Sequence, residues 1–300
     1  MCNNNLSVAL WVYMKRVSVI AIVFVALLSG CERTVEVEKP LYPTEGAINA
    51  RYSIDDDVTV VFAKGNLQYQ ASTHTWRFAQ NQYDVAGFDN ELVDTTYGGW
   101  IDLFGWGTSG YRELMPYTIS DSSENYAYGC WDITDSEYDW GKHNAISNGG
   151  NKVGQWRTMT YDEWQHLLKY RTDAWKKRAF ATIEHVGRNG SPMYGLVLLP
   201  DKWEQPEGCE FHYDSEEGYA SNVYSPDQWN RMQGAGAVFL PAGGERNGVH
   251  VGMVGEYGCY WTSNGYTLSS AYEFYFLSSE YGFYTTDRAD GHSVRLVMER

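Results

Sequence analysis

Five cysteines, seven histidines and 38 carboxylates are the side chains from which this 300-residue chain could build nucleophilic, acid–base or metal chemistry. Their spacing argues against most of it. The histidines stand singly, and no H-E-x-x-H places two imidazoles one helical turn apart. No P-loop, G-x-S-x-G elbow or dinucleotide-binding glycine fingerprint occurs. Cys2, Cys31, Cys130, Cys209 and Cys259 form no C-x-x-C, and no Cys or His pair has zinc-finger spacing, so neither a metal nor a cofactor is expected. Carboxylates this numerous must pair somewhere, and a pair alone does not nominate a glycosidase. Asp162-Glu163 falls where a first helical turn favours acids. Asp55-Asp56-Asp57 reads as a solvated turn. No catalytic residue is predicted, which leaves recognition.

Recognition has a visible locus. Residues 257–290 hold seven Tyr, three Phe and one Trp beside five Ser, with no Lys. Tyrosine supplies contact area at low entropic cost, and serine and glycine adapt around it. Alternation along YEFYFL (272–277) assigns Tyr272, Phe274 and Phe276 to the core. Tyr257, Tyr266, Tyr275, Tyr281 and Tyr284 are assigned to the surface. The expected ligand-binding face adds Cys259, Leu268, Glu273 and Phe283, and then Asp287, Asp290 and His292.

The elements that must carry this face are short. VTVVF (58–62), LQYQ (67–70) and the alternating Trp76 and Phe78 read as hairpin strands between Gly, Asn and Ser turns. GGWIDLFGWGTSGY (98–111) is too glycine-rich for a helix. Two helices are expected. One starts at the Thr160/Glu163 capping box, with Trp164, Leu167, Leu168 and Arg171 on one face; the other starts at Ser225-Pro226 and runs to about Met232 with Trp229 inward. GLVLLP (195–200) and GAVFLP (236–241) read as buried strands, and HSVRLV (292–297) as an alternating one. Few helices among many short strands make an α+β or mainly β domain.

The N-terminal region reads as an export signal. Lys15 and Arg16 precede an apolar run from Val17 to Leu28, too short to span a bilayer, followed by Leu28-Ser29-Gly30-Cys31. Those four residues resemble the lipobox of bacterial lipoproteins, in which the cysteine is acylated and the peptide before it removed. The expected organisation is a signal peptide over 1–30 with translation starting at Met14, lipidation at Cys31, and a tether over 31–46. A multi-chain lipid anchor is stable where a single chain is marginal, so the membrane is an expected partner. Cleavage shifts the formal charge from −15 to −17. Without a basic block, such acidity excludes a nucleic-acid partner. Three cysteines then remain in the mature domain; Cys130 with Cys209 is one pairing they allow, and connectivity is not readable from spacing.

Several landmarks occur in a telling order: KGNLQYQ (64–70), TWRFA (75–79), WIDLFGWGTSG (100–110), WRTMTYDEW (156–164), GLVLLPD (195–201), GAVFLPAGG (236–244), YWTSN (260–264) and GHSVRLV (291–297). Together they resemble the major paralogous domain (FISUMP-like) family of bacterial surface lipoproteins. That family is similar in fold to C-type lectins and the formylglycine-generating enzyme, and to the variable proteins of diversity-generating retroelements. The resemblance implies an N-terminal β segment (47–96) followed by a C-type lectin-like domain (97–300). Two helices would flank small antiparallel sheets with long loops, and the variable ligand-binding region would be 257–292. It further implies an outer-membrane or cell-surface receptor or adhesin of a Gram-negative bacterium, binding a protein or glycan. A carbohydrate-binding module and an exported enzyme are the alternatives. Formylglycine generation requires a thiol pair, and Cys259 stands alone. The calcium-dependent sugar motifs are also absent, since Gln205-Pro206-Glu207 and Trp229-Asn230-Arg231 match neither pattern.

Overall fold

The computed structural model describes residues 43–300. The expected signal peptide, the expected lipidation site Cys31 and most of the expected tether lie outside the described residues. Among the described residues no helix is long and apolar enough to cross a membrane.

The β-branched run near 60 forms its strand as expected. β1 (Tyr52–Ser53) and β2 (Thr59–Phe62) make an antiparallel hairpin in which Val60, Val61 and Phe62 are all buried. A second hairpin pairs β3 (Leu67–Gln70) with β4 (Thr75–Phe78), and Trp76 and Phe78 point inward as their alternation predicts. The glycine-rich stretch 98–111 builds no α-helix or strand. Its Ile101, Phe104 and Trp106 are nevertheless buried, and the Trp106 indole donates to the Thr262 carbonyl at 2.9 Å.

α1 (Trp140–His143) is a single turn with no periodicity to announce it, capped by the Asp139 carboxylate, which accepts from the Gly141 N–H at 2.9 Å. α2 (Tyr161–Gln165) opens on the predicted capping box: Thr160 Oγ1 accepts from the Glu163 N–H, and the Glu163 carboxylate accepts from the Thr160 N–H. Glu163 also pairs with Arg157 at 2.6 Å, which in turn reaches Glu299 at 3.0 Å. Regular α geometry ends sooner than the pattern suggests, and one π turn (His166–Tyr170) continues the helix while still burying Leu167 and Leu168.

β5 (Arg178–Ile183), β6 (Met193–Leu198) and β7 (Val223–Tyr224) precede α3 (Pro226–Gly234), which has Ser225 as its cap, Pro226 in the first turn and Trp229 buried. β8 (Val238–Pro241) completes a sheet ordered β7-β5-β6-β8, antiparallel except where β5 meets β7. The two apolar runs read as buried strands are its β6 and β8, and Trp229 covers Phe239 at 5.4 Å. β9 (Glu245–Asn247) and β10 (His250–Gly252) form a small hairpin. β11 (Gly258–Gly265), β12 (Ser270–Phe276) and β13 (Tyr281–Asp287) form a meander. β14 (Val297–Glu299) returns to pair with β2.

The protein is therefore mixed α+β, with short, mostly antiparallel sheets and few helices. Residues 47–96 do not stand apart from residues 97–300. Ala63 and Leu67 N–H groups donate to the Leu296 and Val294 carbonyls, and the described residues 43–300 belong to one compact unit. The expected strand at 292–297 is mostly an extended segment held by isolated bridges, with both faces buried. Its alternation carries no inside–outside meaning because protein covers both sides. Cys130, Cys209 and Cys259 are all free, so the Cys130–Cys209 pairing is not made.

Candidate functional site

The aromatic C-terminal region is the β11–β12–β13 meander, and the pleat divides it. Successive residues of a strand point to opposite faces, while residues paired across strands share one. The register sets Tyr260 against Phe274 and Phe274 against Phe283; Trp261 stands against Glu273 and Glu273 against Tyr284. One face thus carries Tyr272, Phe274, Phe276, Tyr281 and Phe283. The other carries Cys259, Trp261, Glu273, Tyr275 and Tyr284. The single ligand-binding face expected from composition is therefore two faces.

On the first face Phe274 and Phe276 are buried as predicted, and the Phe274 ring stacks on Trp164 of α2 at 5.0 Å. Gly258 permits this packing, since a Cβ there would lie 2.0 Å from the Phe276 ring. Tyr272, expected in the core, is only half-buried, because Tyr161 from α2 meets it at the rim instead of covering it. The result is a continuous aromatic ladder. Tyr266 contacts Tyr272 at 5.3 Å, Tyr272 contacts Tyr161 at 4.6 Å, and Tyr161 contacts Phe283 at 4.9 Å. Two cations flank it: Lys169 Nζ is 5.1 Å from the Phe283 ring centre, and the Arg178 guanidinium is 4.7 Å from that of Tyr281.

The β11–β12 turn extends the ladder into solvent. Tyr266 and Leu268 are exposed there, beside Tyr128 and Trp131 from a loop distant in sequence. Backbone bonds hold the two segments together, from the Gly265 N–H to the Trp131 carbonyl and from the Gly129 N–H to the Leu268 carbonyl. Arg288 is buried beneath them and donates to the Ala127, Cys130 and Thr267 carbonyls. Burial, with no carboxylate among these partners, lowers its pKa to about 10, so it remains a cation at neutral pH. Arg246 and Arg295 serve other carbonyls in the same way. These are structural cations. Composition counts them as charges without showing that they are inside.

The second face holds the polar residues. Cys259, Glu273 and His292 are buried, which corrects their assignment to an exposed surface. They lie inside because Trp261 stacks on His292 at 4.3 Å and the 98–106 segment closes over both, with Phe104 accepting from the Trp261 indole at 2.6 Å. Tyr257 is half-buried, and its hydroxyl donates to Glu273 Oε1 at 3.0 Å. Burial raises the Glu273 carboxyl to about 7 and pushes the Cys259 thiol up, while it lowers the His292 imidazole to about 3. In each of the three the charged form is disfavoured. Tyr275 is half-buried and lies across Gly282, and Tyr284 is exposed. At the rim Asp290 accepts from Asn247 and Thr286, and exposed Asp287 accepts from Ser123.

The structure thus gathers Tyr257, Cys259, Glu273, Tyr275, Asp290 and His292 around one polar cluster. Tyr281 and Phe283 belong to the opposite face, and Tyr266 and Leu268 to the turn. Tyr128, Trp131, Tyr161 and Lys169 are the residues that reading 257–292 alone leaves out, and only the isolated exposed Trp131 could have signalled itself. A cleft of about 750 Å³ between residues 83–89, 186–194 and 254–256 includes none of the predicted residues and no Cys or His. No family model, curated protein or solved structure matches the chain.

Proposed function

We propose that this protein is a lipid-anchored surface receptor or adhesin of a Gram-negative bacterium, with a C-type lectin-like core, and that it binds a protein ligand through the Tyr266–Phe283 ladder and the adjoining turn. The observation that carries this reading is the ladder itself. Rings from three segments are already in contact and held by packing below, so they present area without paying to order it. A protein is favoured over a glycan because β13 is an edge strand that no other described strand covers, leaving backbone groups for an extended partner. If the region is diversified, variation belongs at Tyr266, Leu268, Tyr284 and Asp287, which are exposed, and not at Trp261, Phe274 or Arg288, which are buried.

The test is selection of binders from a random-peptide display library on the detergent-purified full chain, with a glycan array in parallel. Peptides whose affinity falls tenfold or more on Tyr266→Ala, with an unchanged melting temperature, are the expected result. Tyr266→Ala-sensitive binding confined to glycans would replace the protein ligand with a sugar. Binding indifferent to Tyr266 and Tyr272 would remove the ladder from the function.

A further inference from the structure

The polar face contains an arrangement that surface recognition does not use. Cys259 on β11, Glu273 on β12 and His292 in the extended segment before β14 bring a sulfur, a carboxylate oxygen and an imidazole nitrogen within 4.8 Å of one another. All three side chains are buried. His292 Nδ1 lies 3.0 Å from Glu273 Oε2 but lacks the alignment of a hydrogen bond, and His292 Nε2 has no partner either. Buried polar atoms normally find partners, so an orphaned Nε2 and an Nδ1–carboxylate contact without hydrogen-bond alignment require an explanation.

We propose that Cys259, Glu273 and His292 form a binding site for a divalent transition-metal cation of the zinc type. The donor set is the first argument. Thiolate, imidazole and carboxylate are the ligands zinc takes, at about 2.0–2.3 Å, and three protein ligands leave a fourth position open. The supporting groups are the second. Tyr257 holds the other oxygen of Glu273, and Trp261 fixes the plane of the His292 ring, as outer partners do in metal sites. Charge is the third: the carboxylates of Glu245 and Asp290 stand near the cluster, so a cation seated there would be attracted to them as well as to its ligands. Arg246, the neighbouring cation, is committed to the Gly248, Leu103 and Thr118 carbonyls.

The thiol hydrogen of Cys259 now points to the Gly244 carbonyl 3.2 Å away; on loading, the S–H bond breaks and a metal–sulfur bond forms, the Glu273 carboxyl gives up any proton it carries as its oxygen binds, and these protons leave to solvent. Sequence spacing hides the site because its ligands come from three separate segments. The site is independent of the ladder, and either can fail without the other.

The experiment is titration of the detergent-purified full chain with Zn²⁺ and with Co²⁺ as a spectroscopic substitute. One cation per chain is expected, with a thiolate-to-cobalt charge-transfer band and the visible absorption of low-coordinate cobalt. Cys259→Ser should abolish the charge-transfer band, and Glu273→Gln should weaken Zn²⁺ binding tenfold or more, whereas the double variant Cys130→Ser, Cys209→Ser should keep both signals. Folding of each variant is checked by circular dichroism. Failure of the folded native chain to bind either metal stoichiometrically would overturn the proposal, as would binding that persists unchanged in both Cys259→Ser and Glu273→Gln.

Discussion

The two faces of the β11–β13 meander are made by the same seven residues of β12, yet they differ in kind. Toward α2, Phe274 and Phe276 meet Trp164 and Tyr260 in apolar contact. Toward the 98–106 segment, Glu273 meets His292 and Cys259 with polar atoms left over. Apolar packing holds this region together, and the polar cluster is tolerated within it. Burial stabilises the first face in proportion to the area removed from water. On the second face the same burial penalises every group that could ionise. The buried part of the first face, Phe274 and Phe276, thus serves stability while its Tyr272–Phe283 rim is the proposed recognition ladder, and the polar face is where the proposed cation site lies.

The largest expected effect lies on the packed face. Phe274 is fully buried between Trp164, Phe276, Phe283 and Tyr281, so Phe274→Ala should destabilise by about 3–5 kcal/mol through lost contacts and a residual cavity. Urea unfolding monitored by tryptophan fluorescence measures this. A loss under about 1 kcal/mol would mean that the face collapses readily around the deletion, and the contrast between the two sides would disappear.

The polar side yields a pH-dependent effect of intermediate size. Asp102 is buried in the segment that closes over Trp261 and His292; its Oδ2 accepts from the Ala86 N–H at 2.7 Å, and its Oδ1 has no partner. Burial raises its carboxyl from 3.8 to about 7 in the folded protein, against the pull of that hydrogen bond. The folded state therefore holds a proton that the unfolded chain gives up earlier. The stabilisation is complete below the unfolded value and is lost as pH rises toward about 7. Asp102→Asn lacks this titration, so the native chain should weaken relative to the variant by about 3–4 kcal/mol between pH 4 and 7 and change little above it. Melting temperatures of both proteins across that range supply the comparison, and parallel curves would contradict it.

Legibility in the sequence follows the same division. Where one side of an element is apolar and the other wet, pattern suffices: β4 and the two longer helices begin where alternation or a capping box puts them, while β2, covered on both sides, is marked by its continuous β-branched run. Apolar runs bounded by Gly and Pro also place β6 and β8. Pattern loses its meaning where both sides are covered, as in 292–296, and where an element is one turn long, as in α1. For the site, residue type points to Cys259, Glu273 and His292 but puts them on the wrong side of the surface. Their exposure depends on a loop some 150 residues earlier in the chain that closes over Trp261. Tyr128 and Trp131 join the turn through Arg288, a charged residue whose burial no hydropathy pattern shows.

The smallest effect on stability tests where the polar face ends. Tyr284 shares that face with Glu273 by register, yet it lies on the edge strand and is 66 % exposed. Its ring has lost little water, so Tyr284→Ala should change stability by less than about 0.5 kcal/mol. Phe283 is the contrasting neighbour, half-buried between Tyr161 and Phe274 and beneath Lys169. Chemical-denaturation midpoints that differ little between native and Tyr284→Ala would leave the outer row of the meander free to change without cost to the fold, as a recognition surface requires. A loss above about 1 kcal/mol would mean that Tyr284 packs over the buried cluster as a lid, and the boundary between structure and recognition would then lie one residue row further out.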